Sequence, residues 1–107
     1  MIQIKGGPTI YHTGDTAVFG DMRLIRERFK VDLMLACIGG HFTMGPTGAA
    51  EAVSMVNPKQ VTPMHFGTYP ILAGNPAEFK AALAKRHLAN RLVVMKPGET
   101  RTFPKMK

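Results

Sequence analysis

The run V-D-L-M-L-A-C-I, residues 31 to 38, constrains the fold of this chain more than any other stretch. Apart from Asp32 it is wholly apolar. A strand with one face in water alternates apolar and polar residues, so a run this continuous reads as a central strand covered on both faces. Gly39-Gly40 ends it.

The segments around that strand alternate in type. Ile2 to Ile4 and Thr9 to His12 read as two strands joined through Lys5-Gly6-Gly7-Pro8, with Gly14-Asp15-Thr16 ending the second. Asp21 to Lys30 has Met22, Ile25 and Phe29 on one helical face. Gly48 to Val56 reads as a helix of small residues, with Ala49, Ala52, Val53 and Val56 inward. Asn57-Pro58 ends it, because a residue before proline is pushed out of the helical region. Gln60 to His65 is the next strand. Asn75-Pro76-Ala77-Glu78 is a helix start, with Asn as cap, Pro at the first position and Glu three residues after the cap. That helix carries Phe79, Ala82 and Leu83 inward and runs to about Leu88. Arg91 to Met95 reads as a strand, Lys96-Pro97-Gly98-Glu99 as a turn, and Thr100 to Phe103 as a short edge strand. The order ββαβαβαββ predicts one α/β domain over residues 1–107, a mixed sheet with about three helices packed on it.

The charge balance is +7, from 14 basic and 7 acidic residues. The basic residues are scattered, with no run of five or six and no interleaved aromatics. A solvated surface is therefore expected ahead of a nucleic-acid interface. Cys37, the single cysteine, excludes an internal disulfide and suits a reducing cytoplasm. No apolar run reaches the roughly 18 residues that span a bilayer. The opening M-I-Q-I-K-G-G lacks the charged-then-apolar order of a signal peptide, so a cytoplasmic location without membrane contact is expected.

Polar residues gather just past the ends of consecutive strands: His12 with Asp15, His41 with Thr43, and His65 with Thr68. In a sheet of β-α-β units these ends share one edge, where sites form. Asp15, His41 and His65 could therefore converge. A carboxylate with imidazoles suits Zn²⁺, Mn²⁺ or Fe²⁺. Each residue alone has a plainer reading: His65 as a hydrogen-bonded strand-end histidine, Asp15 as a turn residue bonding its own backbone, His41 as a loop residue, His12 as support for a neighbour. His87 reads as a favourable charge at a helix C-terminus. Cys37 lies mid-strand and should be inert. Neither G-x-S-x-G nor a phosphate-cradling loop is present, and the methionines read as packing.

With these residues in hand, the chain resembles the metallo-β-lactamase-fold hydrolases, in the branch of small metal-dependent hydrolases related to the ascorbate-phosphate lactonases. The similar stretches are T-I-Y-H-T-G-D-T-A-V-F-G-D-M (9 to 22), I-G-G-H-F-T-M-G-P (38 to 46) and V-T-P-M-H-F-G-T (61 to 68). They are followed by the family's P-x-E-F helix and K-P-G-E turn. The resemblance implies half of an αββα sandwich and a di-metal site whose activated water attacks an ester, lactone or phosphate bond of a small molecule. It implies Asp15 as the carboxylate bridging two metals and His65 as a ligand of the second. It implies His41 and Thr43 as residues orienting substrate or water at the active-site mouth. Zinc is the first expectation, with manganese, iron or nickel as alternatives. The chain departs from the family at Gly40, where Asp is frequent.

The family's His-x-His-x-Asp-His motif and its later third histidine belong to an N-terminal half, and this chain matches the C-terminal half. A two-ligand site should bind metal weakly and hydrolyse little by itself. The sheet face left open, read as Leu33, Leu35, Val61 and Val93 or their opposite-facing neighbours, invites association. A homodimer or a complex with a separately encoded N-terminal half is the partner expectation. The alternative is a non-catalytic binding module that uses its exposed sheet or basic surface, nucleic acid included.

Overall fold

The computed structural model describes residues 1–14, 16–39, 44–64, 76–95 and 100. The chain starts with a hairpin, β1 (Ile2–Gln3) antiparallel to β2 (Thr9–His12). Its turn closes through Gly7 N–H to Ile4 O at 2.8 Å and Ile4 N–H to Pro8 O at 3.2 Å. Gly6 supplies the positive φ, +72°, that this turn needs.

From β2 onward the strands run parallel. Helix α1 (Met22–Arg28) connects β2 to β3 (Leu33–Cys37), and α2 (Pro46–Val56) connects β3 to β4 (Gln60–Met64). Helix α3 (Pro76–Ala84) follows. The sheet order is β1-β2-β3-β4, so chain neighbours are sheet neighbours. The mixed α/β fold with three helices is as the sequence implies.

Register explains the core. Tyr11, Met34 and Val61 lie in one row across β2, β3 and β4. They are buried in a single cluster with Met22 of α1, Val53 of α2, and Phe79 and Leu83 of α3. The three helices therefore cover that face. The next row, His12–Leu35–Thr62, belongs to the opposite face. There His12 is exposed and Leu35 half-buried, as is Ile10 nearby. Val61 does not lie on the open face, contrary to the sequence reading; it is fully buried under the helices. Leu33 is on the open side yet only 6% exposed. Thr62 is buried there too, and its hydroxyl has no hydrogen-bond partner among the described residues.

Local boundaries follow local chemistry. Pro46 opens α2 two residues before the expected Gly48, because proline at the first position gives up an N–H that has no partner there. Asn57 ends α2 in the left-handed region, φ +55°, ahead of Pro58. Helix α1 stops at Arg28, with Phe29 already extended. Helix α3 stops at Ala84, where a turn through Lys85 to His87 replaces the longer helix expected. Its last carbonyls are met by His87 N–H to Ala84 O and Leu88 N–H to Leu83 O, with His87 at φ +61°. This is a Schellman closure, and Leu83 and Leu88 are both buried in the core cluster. His87 thus serves as the left-handed residue past the helix, not as a charge in its last turn.

The strand expected from Arg91 to Met95 is reduced to one bridge, Leu92 beside Val61, with Val93 N–H bonded to Val61 O at 2.9 Å. Residues Ala89–Arg91 form a 3-10 turn instead. Arg91 holds that turn by donating to Asn57 Oδ1 and Pro58 O at 2.6 and 3.0 Å. The predicted cap at Asn75, the turn at 96–99 and all but the first residue of the 100–103 strand lie outside the described residues.

Candidate functional site

Parallel pairing sends β2, β3 and β4 out of the sheet at one edge. His12 pairs with Leu35, and two residues further Cys37 pairs with Met64. Thr13 N–H still reaches Leu35 O at 3.0 Å, and Ile38 N–H reaches Met64 O at 3.1 Å. Beyond these points come the segments that carry the candidate residues. Asp15, His41, Thr43 and His65 themselves lie outside the described residues. Their described chain neighbours, Gly14, Thr16, Gly39, Met44 and Met64, sit at or next to this shared edge.

Hydrogen bonds knit those neighbours together. Gly14 takes φ +64° as the chain leaves β2, and a Cβ there would meet nothing within 4 Å. Backbone conformation, not crowding, is therefore what asks for glycine. Gly14 N–H donates to His12 Nδ1 at 3.0 Å. The Thr13 hydroxyl donates to Gly14 O at 2.9 Å and accepts from Cys37 N–H at 3.2 Å. The Cys37 thiol donates to Thr16 O at 3.5 Å, and Met44 N–H donates to the same carbonyl at 2.8 Å. The described residues that flank position 15 and those that flank 40–43 are thus bonded to each other.

These contacts limit what the described side chains can do. With Nδ1 accepting from Gly14, a neutral His12 ring carries its proton on Nε2 and offers a donor rather than a lone pair. That disfavours His12 as an extra metal ligand. Cys37 is fully buried with its thiol committed to a carbonyl, the inert cysteine the sequence suggested. The Tyr11 phenol, one row in from the edge, is held above its ordinary pKa by burial and secondarily by the nearby Cys37. Among the described residues no group of three His, Cys, Asp or Glu side chains could hold a metal. The carboxylate and imidazole that the sequence suggests, Asp15 and His65, lie outside the described residues; as a pair of donors their chemistry suits a divalent ion.

Thr13 and Cys37 are what sequence reasoning missed. A threonine after an apolar strand looks like one more β residue, and no spacing rule marks its hydroxyl as a bridge to a strand 24 positions on.

Three shallow cavities are lined in part by Arg26, Lys30, Lys59, Lys85, Arg86 and Arg91, and by no carboxylate among the described residues. No helix among the described residues is long and apolar enough to cross a membrane.

Comparison with known proteins adds the following. Residues 1–65 match the model of a beta-lactamase superfamily domain, a span that contains Asp15, His41, Thr43 and His65. The chain is 52% identical over 100 residues to a UPF0173 metal-dependent hydrolase of Thermodesulfovibrio yellowstonii, covering 94% of this chain and 38% of the relative. It is 56% identical over 100 residues to a UPF0173 metal-dependent hydrolase of Anaeromyxobacter dehalogenans, covering 92% of this chain and 35% of the relative. Among solved structures it resembles Igni18, described as a metallo hydrolase from Ignicoccus hospitalis, with TM-score 0.89 and 39% identity, covering 99% of this chain and 45% of that one. An isothiocyanate hydrolase from Delia radicum gut bacteria shares the fold at TM-score 0.75 and 20% identity, over 92% of this chain and 41% of that one. The chain thus spans less than half the length of each of these relatives.

Proposed function

Because the chain belongs to the beta-lactamase superfamily domain family, we propose that it supplies the Asp15–His65 side of a divalent-metal hydrolase centre. The observation that carries this is the shared strand-end edge, where the described neighbours of Asp15, His41, Thr43 and His65 meet. In this reading Asp15 and His65 would hold the metal, the carboxylate of Asp15 being able to serve two ions and the imidazole of His65 one. A bound ion of this kind lowers the pKa of its water toward 7, so that hydroxide is present at neutral pH. His41 and Thr43 orient that water and the substrate, an ester, lactone or phosphate of a small molecule. Zinc is the first candidate, with manganese, iron and nickel as alternatives, and the lone cysteine favours a cytoplasmic setting.

A catalytic zinc takes three protein ligands and a water, and this chain offers two firm ones. The remaining ligands would come from a second copy or from a separately encoded N-terminal half seated on the open sheet face, where Ile10 and Leu35 are half-buried and Ile2 and Ile4 exposed. A monodisperse monomer by light scattering, with no gain of metal on mixing with such a half, would remove that part of the reading.

The experiment is metal content per chain by plasma mass spectrometry, on protein purified without chelators, beside an Asp15→Ala, His65→Ala variant. Near-stoichiometric metal in the wild type, lost in the variant, supports the centre and makes esters and lactones the substrates to assay. Equal metal in both, or none in either even after mixing with an N-terminal half, overturns it for this chain.

A second reading rests on the basic residues Arg26, Lys30, Lys85, Arg86 and Arg91 that line surface cavities, which suit a polyanion such as a nucleic-acid backbone. A steep loss of binding with salt, indifferent to metal, would support it.

A further inference from the structure

The geometry points to Thr13 as a positioning residue: its hydroxyl ties Gly14, the residue that leads into Asp15, to β3, so metal affinity depends on a side chain that touches no metal. This inference rests on the metal reading above for its functional meaning. Its structural content stands by itself.

The ladder between β2 and β3 ends at His12–Leu35, and Thr13 N–H to Leu35 O is its last backbone rung. Gly14 then turns the chain away at φ +64°. Cys37 N–H, in a fully buried residue, is bonded instead to the Thr13 hydroxyl at 3.2 Å. A buried N–H is rarely left unpaired, so the hydroxyl substitutes for a missing carbonyl. A hydroxyl has one proton and two lone pairs, and the proton is used as well, on Gly14 O at 2.9 Å. One oxygen thereby joins β3 to the peptide that leads into Asp15. On the far side of Asp15, Thr16 O accepts from Met44 N–H at 2.8 Å and from the Cys37 thiol at 3.5 Å. Both flanks of the residue are tied to β3 or to the segment that follows it, but Thr13 is the only side chain in this set that both donates and accepts. Outer groups that orient a ligand are worth about 10–100-fold in metal affinity. The thiol, a weak donor, should matter less.

The test uses the full chain as wild type, Thr13→Ser and Thr13→Val, with zinc titrated against a chromophoric chelator and ¹⁵N relaxation recorded without metal. Serine keeps the hydroxyl; valine keeps the shape and loses it. The expected result is wild-type zinc affinity within about twofold for Thr13→Ser and a loss of about 10–100-fold for Thr13→Val. The Gly14 and Thr16 amides should keep order parameters near 0.85 in wild type and the serine variant and fall toward 0.6 with valine. Equal zinc affinity and equal order parameters in all three would overturn the inference. If Thr13→Val does not fold, hydrogen exchange in the wild type decides: zinc must slow exchange at the Gly14 and Cys37 amides together, and no change there overturns it. A wild type that takes up no zinc, alone or with an N-terminal half, refutes the metal reading, while the relaxation data still judge the clamp.

Discussion

Thr62 gives the most direct test of how this sheet is built. It sits on β4 in the row His12–Leu35–Thr62, 7% exposed, and its hydroxyl is buried without a partner among the described residues. A hydroxyl so placed has given up its bonds to water and gained none from the described residues, a cost of about 1–3 kcal/mol. Thr62→Val removes the hydroxyl, keeps the branched shape that a strand favours, and adds a methyl worth up to about 0.8 kcal/mol when buried. The substitution should therefore stabilise the chain by about 1–3 kcal/mol. For a domain near this size each kcal/mol moves the melting temperature by about 4–8 °C. Urea unfolding is the assay, since a shift in midpoint at unchanged slope isolates stability. Thr62→Ser is the control: it keeps the unpaired hydroxyl, opens a methyl-sized void, and should destabilise by about 1 kcal/mol. If Thr62→Val is neutral or destabilising, the hydroxyl is bonded in solution and the reasoning is refuted.

Other expectations follow from single contacts. Asp32 is 7% exposed and accepts from Thr9 N–H at 2.8 Å, while its partner Lys59, at 3.4 Å, is 35% exposed. Asp32→Ala should cost about 1.5–3 kcal/mol and Lys59→Ala under about 1 kcal/mol in urea unfolding; equal costs would refute the division. His87→Gly should stabilise by about 0.5–1 kcal/mol, because φ +61° strains any residue with a Cβ, and a lower urea midpoint would contradict this. Tyr11 has its pKa raised by burial first and the Cys37 charge second. Its phenol keeps its proton to higher pH in the folded chain than in the unfolded one. The stability it contributes is thus complete below the unfolded value near 10 and is lost as pH rises through the folded value. Ultraviolet titration of phenolate, compared between wild type and Tyr11→Phe, checks the direction.

How much of this was legible beforehand differs by element. The central run 31–38, the face of α2 and the strand at Gln60 were readable because a buried strand and a helix of small residues each leave a periodic imprint. The ends were less so. The 3-10 turn at Ala89–Arg91 depends on Arg91 reaching back to Asn57 and Pro58, more than 30 positions away, and no local propensity encodes that. Asp32 looked like an interruption in an apolar run, yet its carboxylate satisfies Thr9 N–H across 23 positions.

The sequence by itself determined the order of strands and helices as far as α3 and the glycine at the exit of β2, and it named Asp15 and His65 as candidate donors. It could do so because periodicity, positive φ and donor chemistry are properties of a residue and its near neighbours. Only the tertiary structure decided that Val61 faces the helices and Leu35 does not. It likewise decided that His12 spends its Nδ1 on the turn, and that the Thr13 hydroxyl joins that turn to β3. Those facts rest on register, because a shift of one residue would reverse every face of the sheet and dissolve every bond at its edge.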